Sequence, residues 1–187
     1  MSTPFSNAGG SAAAQDDAPA YTQALLDLLA ERDPLEVLGA QTPELARLTS
    51  GLTDEELRRP EASGKWSVLQ VLDHLTDAEA VMGARVRYVV AEDAPTIIGY
   101  DQDLWAARLR YGSTDLGSLL SELSALRGRT LRLLRDLSPA ELERIGNHSE
   151  RGPESVRHMM KLMAAHDLVH RRQIARIRGV LGKPVAA

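Results

Sequence analysis

The stretch SVRHMMKLMAAHDLVHRRQIARIRGVL, Ser155 to Leu181, decides the fold class. Ser155 stands where a helix wants an N-cap oxygen, and Gly182-Lys183-Pro184 is a stop signal at the other end. Between them Met159, Met163, Ile177 and Leu181 fall on one stripe at helical spacing. A helix of about 27 residues is predicted, on the order of 40 Å long. His166 and His170 take the three- and four-residue steps of the same stripe. They sit one turn apart, with Cβ atoms about 6 Å from each other, on the face that should point inward.

Other segments repeat this pattern. Ser67 with Gln70 forms a capping box, and helical periodicity continues to about Glu92, before Asp93-Ala94-Pro95. Asp115 caps a third pattern, with Leu119, Leu120, Leu123, Leu126, Leu131 and Leu134, reaching about Leu137. Shorter helices are expected over Tyr21 to Arg32, halted by Asp33-Pro34, and from the cap Thr42-Pro43-Glu44 to about Thr49. Others are expected from the Thr53/Glu56 box to Pro60, from Asp101 to Tyr111, and from Ser138-Pro139-Ala140-Glu141 toward Gly146. Period-2 alternation is nearly missing, so the class is all-α. Three long helices and the helices before Gly51 suit a four-helix bundle with short accessory helices. The bundle is expected over residues 21–182, after an unstructured polar lead, 1–20, and before a short tail, 183–187.

Composition excludes several function classes. The chain has 187 residues, a length that suits one domain with a real core. Its net charge is −4, with no concentrated basic run, so no nucleic-acid partner is expected. No apolar run approaches the length of a membrane span, so no membrane partner is expected either. The N-terminus lacks a secretory pattern, and a cytoplasmic location follows as the expectation. Cysteine is absent, which excludes disulfides, thiolate ligands and a cysteine nucleophile. Sulfur chemistry would have to arrive with a substrate.

The histidines are the candidates for chemistry. His74 shares a helix face with Val71 and Ala78, so it too is directed at the bundle interior. His74, His166 and His170 together could hold one metal ion between facing helices. They could equally be core-edge histidines satisfied by carboxylates or backbone, and spacing alone leaves both readings open. Asp77, one turn after His74, and Asp167, beside His166, are candidates to orient the imidazoles, or are solvated acids. Glu79 lies on the stripe between Leu75 and Met82, either as a buried general base or as a salt bridge to an arginine. His148 and Arg151, in the segment Gly146 to Pro153, are candidate substrate contacts or members of a polar turn. Trp66 reads as a plug at the bundle end, and Gln173 as a neighbour of His170 rather than a ligand.

Three motifs carry a resemblance. They are Gly64-Lys65-Trp66-Ser67, Leu72-Asp73-His74-Leu75-Thr76-Asp77-Ala78-Glu79, and Ala165-His166-Asp167-Leu168-Val169-His170-Arg171-Arg172-Gln173-Ile174. In this order and spacing they resemble the DinB/YfiT-like superfamily over about Ala40 to Val180. The resemblance implies a four-helix bundle with a divalent metal, Zn²⁺ or Ni²⁺, on His74, His166 and His170. It further implies a metal-dependent S-transferase using a bacillithiol- or mycothiol-type thiol and a small-molecule electrophile. The alternatives are a hydrolase using metal-bound hydroxide, and a non-catalytic metal-binding or interaction bundle. A homodimer is the assembly that the resemblance suggests.

Overall fold

The structure, a computed structural model, describes residues 18–183. Its long helices begin where the caps demand. Ser67 accepts from the Gln70 N–H while Gln70 reaches back to the Ser67 N–H, and helix Val68–Ala91 follows. Asp115 accepts from the Ser118 N–H and starts Leu116–Asp136; Ser155 accepts from the His158 N–H and starts Val156–Val180. In chain order the helices are α1 (Ala18–Leu29), α2 (Pro34–Gly39), α3 (Gln41–Thr49), α4 (Asp54–Arg58), α5 (Val68–Ala91), α6 (Gln102–Arg108), α7 (Leu116–Asp136), α8 (Pro139–Leu142) and α9 (Val156–Val180). Strands β1 (Thr96–Ile97), β2 (Ile145–His148) and β3 (Gly152–Ser155) form one small sheet.

Several boundaries differ from the sequence reading. Helix α1 begins at Ala18, inside the expected lead, whose residues 1–17 lie outside the described part, as do tail residues 184–187. Asp33-Pro34 does more than stop α1. The Asp33 carboxylate accepts from the Leu35 N–H and caps α2, with Pro34 at its first position. Thr42 is not a cap: α3 starts at Gln41 after Ala40, which offers no side-chain oxygen. The segment after α8 is a β-hairpin, with Ile145 opposite Ser155 and His148 opposite Gly152, and β1 lies parallel to β2. Strands this short, interrupted by Gly146 and Pro153, present no alternation to read.

The apolar residues form two clusters, and cluster membership fixes the helix directions. One cluster joins Leu25, Leu29 and Leu38 to Val86 and Val89 of α5, Leu131 and Leu134 of α7, and Met159 and Met163 of α9. The other joins Leu45 and Leu48 to Leu69 and Leu72 of α5, Leu119 and Leu123 of α7, and Ile174 and Ile177 of α9. Helices α5 and α7 therefore both run from the second cluster to the first. Helix α9 and the series α1–α3 run the other way. Two parallel neighbours cannot be joined by a tight turn, so residues 92–115 return along the bundle. They carry β1 and α6 on the way. The return is pinned at its far end, where the Gly112 N–H donates to Asp73 at 2.5 Å and Arg58 donates to the Gly112 carbonyl.

The sheet closes the first-cluster end against α5 and α9. A Cβ added at Gly146 would lie 2.6 Å from both Ile97 Cδ1 and Val89 Cγ2. Gly146→Ala is expected to cost about 1–3 kcal/mol, the usual penalty for overpacking a filled interior. Urea denaturation measures it, and an unchanged midpoint would show that the sheet does not press on α5.

Candidate metal centre

Between the two apolar clusters lies a layer of buried polar groups contributed by every wall of the bundle. Its centre is a set of three histidines: His74 from α5, and His166 and His170 from α9. The Nε2 atoms of His74 and His166 are 3.0 Å apart, those of His170 and His166 are 3.1 Å apart, and one nitrogen from each ring falls within 4.8 Å of the others. An in-plane imidazole nitrogen has one lone pair or one proton, so His166 Nε2 cannot serve both neighbours by hydrogen bonding. A shared cation serves all three. Nitrogens bound at about 2.05 Å around a tetrahedral ion stand about 3.3 Å apart, close to the two spacings to His166.

The His170 tautomer fits as well. Gln173 Oε1 lies 2.7 Å from His170 Nδ1, so the amide oxygen accepts from that N–H and leaves Nε2 with its lone pair. His74 Nδ1 is buried without a partner. Trp66 packs beside the His74 ring, centroid to centroid 5.2 Å, and Tyr111 meets Trp66 at 6.2 Å. Burial is the main cause that keeps all three rings neutral. It pushes His166 down to about 4, with the Arg127 charge helping, and His170 to about 3, with His166 helping. His74 is driven in the same direction by burial and by the other two histidines.

These lowered values have a consequence for the metal-free protein. In the unfolded chain histidines take up protons near pH 6.5, whereas the folded chain resists until about pH 4 at His166 and 3 at His170. Stability is thus fully present above pH 6.5 and falls as the pH falls, by on the order of 1.4 kcal/mol per pH unit per histidine. Urea midpoints between pH 7 and 5 are expected to drop steeply in the native sequence and more gently in the His166→Ala/His170→Ala variant. Equal slopes would contradict the burial of neutral rings.

The other candidates from the sequence are placed differently. Glu79 lies five positions after His74, about 140° around the helix. Its carboxylate accepts from Arg127 Nε at 2.8 Å. Asp167 receives Arg127 Nη1 at 2.6 Å and Nη2 at 3.2 Å. Both acids are buried and bound to one arginine, and among the described residues no hydrogen bond joins either to a histidine. The salt-bridge alternative for Glu79 is thus the arrangement found. Asp77 accepts from the Tyr111 hydroxyl at 2.6 Å, which ties it to the return segment. His148 and Arg151 lie in the hairpin, grouped with Arg85 and Glu154 at the sheet end. Gln173 is where the sequence put it, beside His170 and not among the ligand atoms.

Arg127 escaped the sequence reading. It stands on the leucine stripe of α7, four residues after Leu123 and four before Leu131, and it donates also to the Leu38 carbonyl at 3.0 Å. A charged residue in such a register, with a carboxylate on the apolar stripe of a partner helix, was the available signal. Arg171 adds a second tie across the layer, donating to Gln41 Oε1 at 2.6 Å and to the Val37 carbonyl at 2.7 Å.

A four-helix bundle with parallel central neighbours and a three-histidine set at its waist defines a recognisable class. Residues 38–174 match the family model of the DinB superfamily, and the chain belongs to that family. A relative from Oceanobacillus iheyensis, named a "putative metal-dependent hydrolase", is 35% identical over 119 residues, 64% of this chain and 69% of its own. One from Bacillus mycoides, with the same name, is 33% identical over 72% of this chain and 78% of its own. The solved structure of YfiT from Bacillus subtilis is similar at a TM-score of 0.75 and 26% identity, covering 80% of this chain and 86% of that one. It is described as a probable metal-dependent hydrolase with an unusual four-helix bundle topology. Among the described residues no helix is long and apolar enough to cross a membrane.

Proposed function

We propose that the chain is a divalent-metal-dependent enzyme of small-molecule chemistry, with His74, His166 and His170 as ligands, and that it transfers a low-molecular-weight thiol to an electrophile. The convergence of three neutral Nε2 atoms is the observation that carries the metal reading. Three protein nitrogens are the ligand count of catalytic zinc sites, which keep an open position, whereas structural sites are closed by four. A divalent ion such as Zn²⁺ or Ni²⁺ would supply Lewis acidity there, lowering the pKa of a thiol or water.

The chain's own groups bear on which nucleophile is used. Gln173 orients His170, and Trp66 with Tyr111 shields the flank of His74 from water. The neighbouring carboxylates each accept a hydrogen bond already: Glu79 Oε2 and Asp167 from Arg127, Asp77 from Tyr111, and Asp73 from the Gly112 N–H, while Glu79 Oε1 is buried without a partner. None of these carboxylates hydrogen-bonds to a histidine of the triad. A thiol on such a metal would be deprotonated outright, whereas metal-bound water would ionise only near pH 7. This supports the thiol, with bacillithiol or mycothiol types as the first to screen, and the absence of cysteine fits a thiol supplied from outside. Hydrolysis is the second reading, favoured by the names of the relatives.

The test is mass spectrometry of products after incubating metal-loaded protein with an activated electrophile that is also an ester. Bacillithiol, mycothiol and glutathione are offered in turn. A thioether or thioester adduct that requires the metal is expected. Metal-dependent cleavage to the acid, with no adduct from any thiol, would replace transfer by hydrolysis.

A further inference from the structure

A second group of buried polar residues lies outside the histidine triad, where the hairpin meets α5. His148 is 4% exposed, and its Nδ1 accepts from the Glu150 N–H at 3.2 Å. The neutral ring must then carry its proton on Nε2, which is buried and has no partner. A buried N–H donor without an acceptor is costly, and it points at a missing acceptor. Two guanidinium groups lie near this ring: Arg151 is three residues on in the same hairpin, and Arg85 reaches the carbonyl of Ile98, next to Ile97, which pairs with His148 across the sheet. Arg151 and Arg85 both disfavour its protonation, adding to burial.

The two arginines are not equivalent. Arg151 is held by Glu154, through Nε at 2.5 Å and Nη2 at 3.0 Å. Arg85 donates to the Ile98 carbonyl and to Met82 Sδ, and lies over the Tyr100 ring at 5.8 Å from its centroid. Among the described residues no carboxylate comes within ion-pairing distance of Arg85. The remaining acid of the group, Glu150, is exposed and lies against the backbone at Gly99. The cluster therefore offers one cation without a carboxylate partner, on α5, and one unmet neutral donor, at the end of β2.

We infer that His148 Nε2, with Arg85 and flanked by Arg151, forms a subsite for an oxyanion, the carboxylate or phosphoryl end of an elongated small molecule. Both candidate groups present oxygens that accept from an imidazole N–H and from a guanidinium at once. Arg85 follows His74 by eleven positions, which is three turns, about 16 Å along the helix and only about 20° around it. The subsite and the triad thus lie along one face of α5, with the short side chains of Ala78 and Val81 between them. That the anion is one end of the reacting molecule rests on the function proposed above. Anion binding does not.

The chain's five histidines make the test direct. Full-length protein labelled in its imidazoles is titrated with malonate and, separately, with inorganic phosphate, with and without Zn²⁺. A saturable shift of the His148 Nε2–H signal is expected, while the other four histidines report that the fold is unchanged. The same titration of Arg85→Met is expected to require about tenfold more anion or worse, as loss of a charged hydrogen bond implies. A response to malonate alone assigns a carboxylate, and a response to phosphate alone a phosphoryl group. No saturable shift with either, or equal binding by Arg85→Met, overturns the subsite. Signals of His74, His166 and His170 that respond to Zn²⁺ while His148 ignores both anions would refute the subsite and leave the metal reading standing.

Discussion

Replacing His166 with alanine is expected to reduce divalent metal from about one ion per chain to none, with affinity lowered by at least about 100-fold. His166 Nε2 stands between the other two, at 3.0 Å and 3.1 Å, so its loss leaves two nitrogens that bracket nothing. The fold should survive, because His166 is the least buried of the three residues and makes no hydrogen bond to the arginine network beside it. Thermal shift separates binding from folding. At 100 times its dissociation constant a ligand stabilises by about 2.7 kcal/mol, or about 5–10 °C for a chain of this size. The native sequence should show this rise with Zn²⁺ or Ni²⁺. His166→Ala should melt near the metal-free native value and ignore the ion. A variant that still took up one tightly bound ion would place the metal elsewhere.

The largest effect on stability is expected from Arg127→Met. Arg127 joins α7 to Glu79 on α5, Asp167 on α9 and the Leu38 carbonyl of α2, in a layer from which water is nearly excluded. Burial pushes both carboxylates up, and the arginine charge opposes that shift. Without the arginine, two buried acids lose their counter-charge. Breaking such a pair costs about 3–5 kcal/mol, or about 6–20 °C. The deficit has a pH signature with a definite sign. In the variant both acids have folded pKa values above the unfolded ones, so stability lost at neutral pH returns as the pH falls toward 4. The triple variant Arg127→Met/Glu79→Gln/Asp167→Asn should recover much of the loss, because no uncompensated charge remains. Guanidinium denaturation of the three proteins decides it, and an Arg127→Met variant within about 1 kcal/mol of the native protein would contradict the network.

Much of this was legible in the sequence, for reasons that can be named. Ser67, Asp115 and Ser155 each put an oxygen where a helix leaves N–H groups unpaired, so the long helices began within a residue of expectation. The inward register of His166 and His170 followed from the periodicity of the methionines and isoleucines around them. The hairpin was not legible, since four-residue strands containing Gly146 and Pro153 owe their pairing to Val89 and Ile97 beneath them. The parallel course of α5 and α7 was hidden too, because direction is a property of which halves pack together. Asp167 read as a group near the histidines, and Glu79 as either a base or a salt bridge to an arginine that the sequence did not name; both carboxylates meet Arg127, a partner 40 and 48 residues away. Periodicity placed these acids on a face and could not say what they met there.

X-ray absorption spectroscopy of Zn²⁺-loaded, untagged protein addresses the metal centre most directly. The predicted first shell has three imidazole nitrogens at about 2.0–2.1 Å, plus at least one further light atom at an exchangeable position. An oxygen-dominated shell, a number of imidazoles other than three, or no stoichiometric ion after reconstitution would contradict a centre on His74, His166 and His170.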